Sequence, residues 1–195
     1  APYSTIHNGL TEVPNALAIG ATWDTHYARS VGSIVGQELT AIGVNMLLGP
    51  SLNVLENPDP GSISDLGTRS FGGDPYWVGV MGQAYIDGLK QGSGGQLAVV
   101  AKHFPGYGSS DQPNNVEIAT VRKSLAQLQQ IDLVPFIMAT SSPTYTIDGL
   151  LTTHIRYQGL DGNIRATTAP VSFSSSAQAE LMGIDELSVW RDSGG

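Results

Sequence analysis

From Asp24 onward apolar residues recur at Ala28, Val31, Val35, Leu39 and Ile42. Spacings of three and four place them along one face of a helix. Asp24 suits its N-cap, and Gly43 suits its C-terminal stop. The pattern changes at VNMLLGP (44–50), a short and almost wholly apolar run, which predicts a strand covered on both faces. Asp74-Pro75 then reads as an N-cap with proline at the first helical position, followed inward by Val78, Met81, Tyr85 and Leu89. QLAVVA (96–101) is the next strand. A helix begins near Ser124, with Leu125, Leu128 and Ile131 inside and Pro135 set to break or kink it. GLLTTH (149–154) is a third strand, and a last helix lies within about 174–190.

Strands separated by helices imply right-handed crossovers and a parallel sheet, so the fold class is α/β, with strands near 44–49, 97–102 and 149–154. Chemistry-bearing residues gather just past the strands: Arg69 after the first, Lys102-His103 at the end of the second, His154 at the end of the third. Ligand sites of parallel α/β proteins lie at that carboxyl end. Three strands make a short sheet, however. A closed (β/α) barrel takes eight strands and roughly 250 residues, and bare apolar edges are costly. Residues 1–195 therefore read as one domain segment of a TIM-type barrel, incomplete at both ends and expected to be poorly soluble without the rest of that barrel.

Composition narrows the function. With 41% apolar and 13% charged residues the chain buries a core, and 24 glycines with 11 prolines imply many turns. A net charge of −8 with nine scattered basic residues argues against a nucleic-acid partner and fits a neutral, sugar-like ligand. There is no cysteine, and hence no disulfide or thiolate chemistry. No apolar run approaches the roughly 18 residues of a membrane span, and APYSTIHNGL lacks the pattern of a signal peptide; the compartment stays open. The histidines and carboxylates show no metal-ligand spacing, and nothing calls for a cofactor.

KHFPGYG (102–108) resembles the KHFPGHG signature of glycoside hydrolase family 3, in its N-terminal barrel domain. The likeness continues in family order through NALAIGATWD, GQELTAIGVNMLLGPSLNV, TRSFGGDP, IDLVPF (131–136), LLTTHIRY and PVSFS, over essentially the whole chain. It implies retaining hydrolysis of O-glycosidic bonds by an aspartate nucleophile and a separate proton donor, as in β-N-acetylglucosaminidases and β-glucosidases. It also implies that Arg69, Lys102 and His103 hold hydroxyls of the sugar beside the scissile bond, with His154 in the same pocket. A non-proline cis peptide is expected around Lys102, His103 and Phe104.

Two departures bear on catalysis. The family nucleophile falls on a strand beyond Gly195, so these residues by themselves are expected to bind sugar without turning it over. The Asp-Ser-His proton donor of the N-acetylglucosaminidase branch falls on Pro113-Asn114-Asn115, which leaves displaced Asp111 as a weak candidate acid. The alternative function is a sugar-binding or structural barrel that has lost its proton donor. Asp111 and Glu117 otherwise read as solvated loop carboxylates, and His7 and His26 as surface residues. Arg69 has an alternative role as ion-pair partner of Asp65 or Asp74, and His154 as a buried core histidine. Trp23 and Trp77, at helix starts, read as packing residues.

Overall fold

The computed structural model describes residues 9–56, 58, 67–110, 118–142 and 144–193. Its elements in chain order are α1 (Ala16–Gly20), α2 (Thr25–Ala41), β1 (Met46–Ser51), α3 (Pro75–Gly92), β2 (Ala98–Phe104), β3 (Thr120–Val121), α4 (Leu125–Gln130), α5 (Val134–Thr140), β4 (Gly149–Thr152), β5 (Arg156–Tyr157), α6 (Gln158–Asp161), α7 (Ser175–Met182) and α8 (Asp185–Asp192), with 3₁₀ turns at Gly67–Arg69 and Val171–Phe173. The main sheet is parallel, in the order β1-β2-β4, with Leu47 beside Val99 and Val100 beside Gly149. Strands β3 and β5 form a second parallel pair.

The two long helices start where the sequence says they should. The Asp24 carboxylate accepts from the His26 N–H, and Asp74 from the Trp77 N–H with Pro75 in the first turn. Gly43 adopts φ +85° and ends α2. Ala28, Val31, Val35 and Leu39 of α2 are buried with Val78, Met81 and Leu89 of α3, in one core with Val99 and Ala101 of β2 and Leu97 just ahead of it. The two helices touch backbone to backbone. A Cβ on Gly36 would lie 2.3 Å from the Leu89 carbonyl oxygen, and one on Gly88 would lie 2.1 Å from that of Arg29.

Four expectations change. β1 runs over 46–51, later than its apolar letters suggest, and it is not covered on both faces: Leu47 packs into the core, whereas Met46 and Leu48 are half exposed. Successive residues of a strand point to opposite faces, so the helices cover one side of the sheet only. Ile42, read as part of the buried stripe, caps α2 and is 50% exposed. The helix from Ser124 is broken, as Pro135 leads one to expect, but the break comes before the proline, which opens the second helix where its missing N–H costs nothing. The last helix is likewise divided, at Gly183-Ile184, where Ile184 is extended. Among the described residues no helix is long and apolar enough to cross a membrane.

Candidate functional site

The site is built on the turn that β2 makes into KHFPGYG. The Lys102-His103 peptide is cis, as the sequence leads one to expect, and so is Phe104-Pro105. Neighbouring strands hold the turn by its backbone: Leu52 N–H donates to the Lys102 carbonyl at 2.6 Å, and Thr153 N–H to the Phe104 carbonyl at 2.8 Å. The buried Tyr157 hydroxyl donates to the Gly106 carbonyl at 2.6 Å. The motif glycines allow close approach. A Cβ on Gly108 would overlap the Val54 carbonyl oxygen at 1.5 Å, and Gly106 has φ +111°.

Because the sheet is parallel, the segments following β1, β2 and β4 emerge at one end, and they carry Arg69, Lys102-His103 and His154. His103 lies within electrostatic reach of the other three. Burial, and then the Arg69 charge, lowers the Lys102 ammonium pKa. Burial lowers the His103 pKa to about 4, helped by Lys102, Arg69 and His154, so its ring is neutral at pH 7. Arg69 and Lys102 both line a cavity of about 190 Å³, with Ser51, Phe71 and Tyr85. His154 does not line that cavity but is close enough to lower the His103 pKa. It is exposed rather than buried in the core, its Nδ1 is 2.7 Å from the Ser172 hydroxyl, and its ring stacks at 6.2 Å on Phe173, itself 77% exposed.

The fold adds residues that sequence reasoning missed. Asn53, fully buried just past β1, bonds Ser51, His103 and the Tyr107 backbone. The Tyr107 ring tilts against His103 at 4.9 Å. Below the turn, Lys123 forms ion pairs with Glu56 and with Asp132, the latter at 2.5 Å. Asn53 was findable, since it stands at the carboxyl end of a strand like the others. The Lys123 cluster joins the two flanks of α4 to distant Glu56, a pairing with no local signal. Asp111, Pro113-Asn114-Asn115, Glu117, Asp65 and His7 lie outside the described residues. His26 is on the surface; Trp23, read as packing, is 65% exposed although it stacks on Trp77 at 4.9 Å. Trp190 is buried, donating to the Ile147 carbonyl.

The glycosyl hydrolase family 3 N terminal domain model matches residues 3–181. The chain belongs to this family. Among family 3 relatives, a β-hexosaminidase of Thiobacillus denitrificans is 31% identical over 160 residues, covering 79% of this chain and 42% of that protein. The structure of a family 3 β-N-acetylglucosaminidase from a Paenibacillus species superposes with a TM-score of 0.81 at 30% identity, over 92% of this chain and 32% of that one. NagZ from Neisseria gonorrhoeae, in complex with N-trifluoroacetyl-D-glucosamine, gives 0.78 at 25% identity, over 95% and 52%. The chain thus spans less than half the length of the curated relative it matches. Its parallel strands and helices are part of the family's (β/α) barrel.

Proposed function

We propose that the protein hydrolyses O-glycosidic bonds with retention, and that its substrates carry a terminal β-linked N-acetylhexosamine. The observation that carries this is the meeting of Arg69, Lys102, His103 and His154 at the carboxyl end of a parallel sheet, in a chain whose relatives are named β-hexosaminidases. Lys102 and Arg69 are donors only; they suit sugar hydroxyl oxygens and an acetamido carbonyl. Charged donors in a partly desolvated site orient the ring, which converts binding energy into rate once the reacting carboxylates are aligned. For those carboxylates, about 5 Å apart in retaining enzymes, the nearest candidate proton donor in the sequence is Asp111.

A second reading, a sugar-binding barrel without turnover, is favoured by Pro113-Asn114-Asn115 at the proton-donor position of the N-acetylglucosaminidase branch. Release of p-nitrophenol from p-nitrophenyl N-acetyl-β-glucosaminide and from the matching β-glucoside by the full-length protein separates the two. Turnover of the first substrate in preference to the second, reduced by about 10²–10⁴-fold in Asp111→Asn, is the expected result. Binding of N-acetylglucosamine with no turnover of either substrate establishes the second reading.

A further inference from the structure

We infer that Asn53 is a positioning residue, which fixes the tautomer of His103 so that the ring presents Nε2–H, a neutral hydrogen-bond donor, to the ligand. Three contacts of one buried amide carry this. The Tyr107 backbone N–H donates to Asn53 Oδ1 at 3.1 Å. A backbone N–H can only donate, so the oxygen of the amide must face Tyr107. The Asn53 amide nitrogen then faces the other two partners, the Ser51 hydroxyl at 2.8 Å and His103 Nδ1 at 3.2 Å. Turning the amide over would set its NH₂ group against the Tyr107 N–H, two donors face to face. Asn53 is 0% exposed, so no water relieves such a clash cheaply. His103 Nδ1 therefore accepts, and in the neutral imidazole the proton sits on Nε2.

The charges around His103 agree with a neutral ring. Lys102, Arg69 and His154 all disfavour an imidazolium, and the ring is largely desolvated. Tyr107, which packs on it, and Asn53 and Ser51 behind it carry no charge at neutral pH. The tautomer sets the polarity of the contact. Nε2–H seeks an acceptor, a sugar hydroxyl oxygen or an acetamido carbonyl, whereas the other tautomer would require a ligand O–H. The ligand half of this inference rests on the proposed sugar site; the tautomer does not.

The test is ¹⁵N NMR of the histidine-labelled full-length protein, with the His103 signals assigned by their loss in His103→Gln. The expected spectrum at pH 7 shows a protonated Nε2 and a bare Nδ1. In Asn53→Asp the carboxylate still accepts from Tyr107 N–H and can accept from the Ser51 hydroxyl, but it now needs a proton on Nδ1. Its titration midpoint should rise by about 1–3 pH units. The new charge raises that midpoint by itself, so the discriminating readout is the variant's neutral ring: the assignment predicts that its proton moves to Nδ1, whereas a purely structural Asn53 predicts that it stays on Nε2. Nδ1–H in the wild-type protein, or a proton that stays on Nε2 in the neutral ring of Asn53→Asp, overturns the assignment; if that variant does not fold, the wild-type spectrum decides by itself. Addition of N-acetylglucosamine should move the Nε2 resonance. An Nε2 signal of the expected tautomer that saturating sugar leaves unchanged overturns the ligand contact while the tautomer stands.

Discussion

Replacing Lys123 by methionine should destabilise the protein strongly at neutral pH and much less in mild acid. Lys123 Nζ lies 2.5 Å from Asp132 Oδ2, and the Asp132 side chain is wholly shielded from solvent. Methionine keeps the length of the side chain but leaves that carboxylate without its cation. Breaking a buried pair in this way costs about 3–5 kcal/mol. Glu56, the other partner, is 28% exposed and can turn to water, so it adds little. Burial already raises the Asp132 pKa to about 6, with the Glu56 charge pushing the same way and Lys123 opposing. The native state thus holds this proton more tightly than the unfolded chain, where an aspartate titrates near 3.9. The stability gained from that proton is full below about pH 4 and is lost as pH rises through about 6. Without Lys123 the carboxyl titrates higher still, so at pH 5 it is neutral and misses the cation less. Urea unfolding of wild type and Lys123→Met at pH 5 and pH 8 measures both effects. A loss below about 1 kcal/mol at pH 8, or an equal loss at both pH values, would refute the reasoning. Lys123→Met combined with Asp132→Leu should recover most of the deficit, because no buried charge remains.

Gly36→Ala should lower stability by about 1–3 kcal/mol, seen as a lower melting temperature, since the new methyl group would meet the Leu89 carbonyl oxygen at 2.3 Å. Lys102→Ala should weaken N-acetylglucosamine binding by calorimetry about 10–150-fold, the range of one charged hydrogen bond. Its melting temperature should stay unchanged, because no described residue forms an ion pair with Lys102. Trp190→Phe should cost about 1–3 kcal/mol in urea unfolding, because it orphans the Ile147 carbonyl that Trp190 Nε1 now reaches at 3.0 Å.

What the sequence made legible follows from how local each signal is. The caps at Asp24 and Asp74 and the stop at Gly43 are decided within one turn of chain, and the structure has all three. The order of strands and helices, and with it the parallel sheet, follows from a change of hydrophobic period that is equally local. Boundaries depend on partners. β1 slides to 46–51 because its pairing with β2 carries on to Ser51 opposite Lys102, which no apolar count reveals. Pro135 shows the same limit from the other side: proline marks a helix discontinuity without saying whether it closes one helix or opens the next. The short β3–β5 pair has only two residues per strand and no pattern to read.

The same contrast explains why a lysine and a histidine end an apolar strand. A parallel strand in a helix-covered sheet must be apolar where the helices press on it, as Val99 and Ala101 are. At its carboxyl end the covering stops, and the backbone must turn. In β2 that turn is held by contacts to its carbonyls from both flanking segments and from Tyr157, so its backbone path does not rest on the side chains of Lys102 and His103. What surrounds them is then arranged for polarity. Arg69 comes from the segment after β1, His154 from the segment after β4, and Asn53 orients the imidazole from behind. Lys102 and Arg69 crowd one neutral ring, and a ligand rich in hydrogen-bond acceptors suits them by giving each donor an oxygen. The acceptors of a sugar meet that need without bringing a net charge into a site that holds its own imidazole neutral. Binding and turn geometry are thus one construction, in which glycines at 106 and 108 let the chain pass close enough to Val54 and Asp132 for the donors to converge.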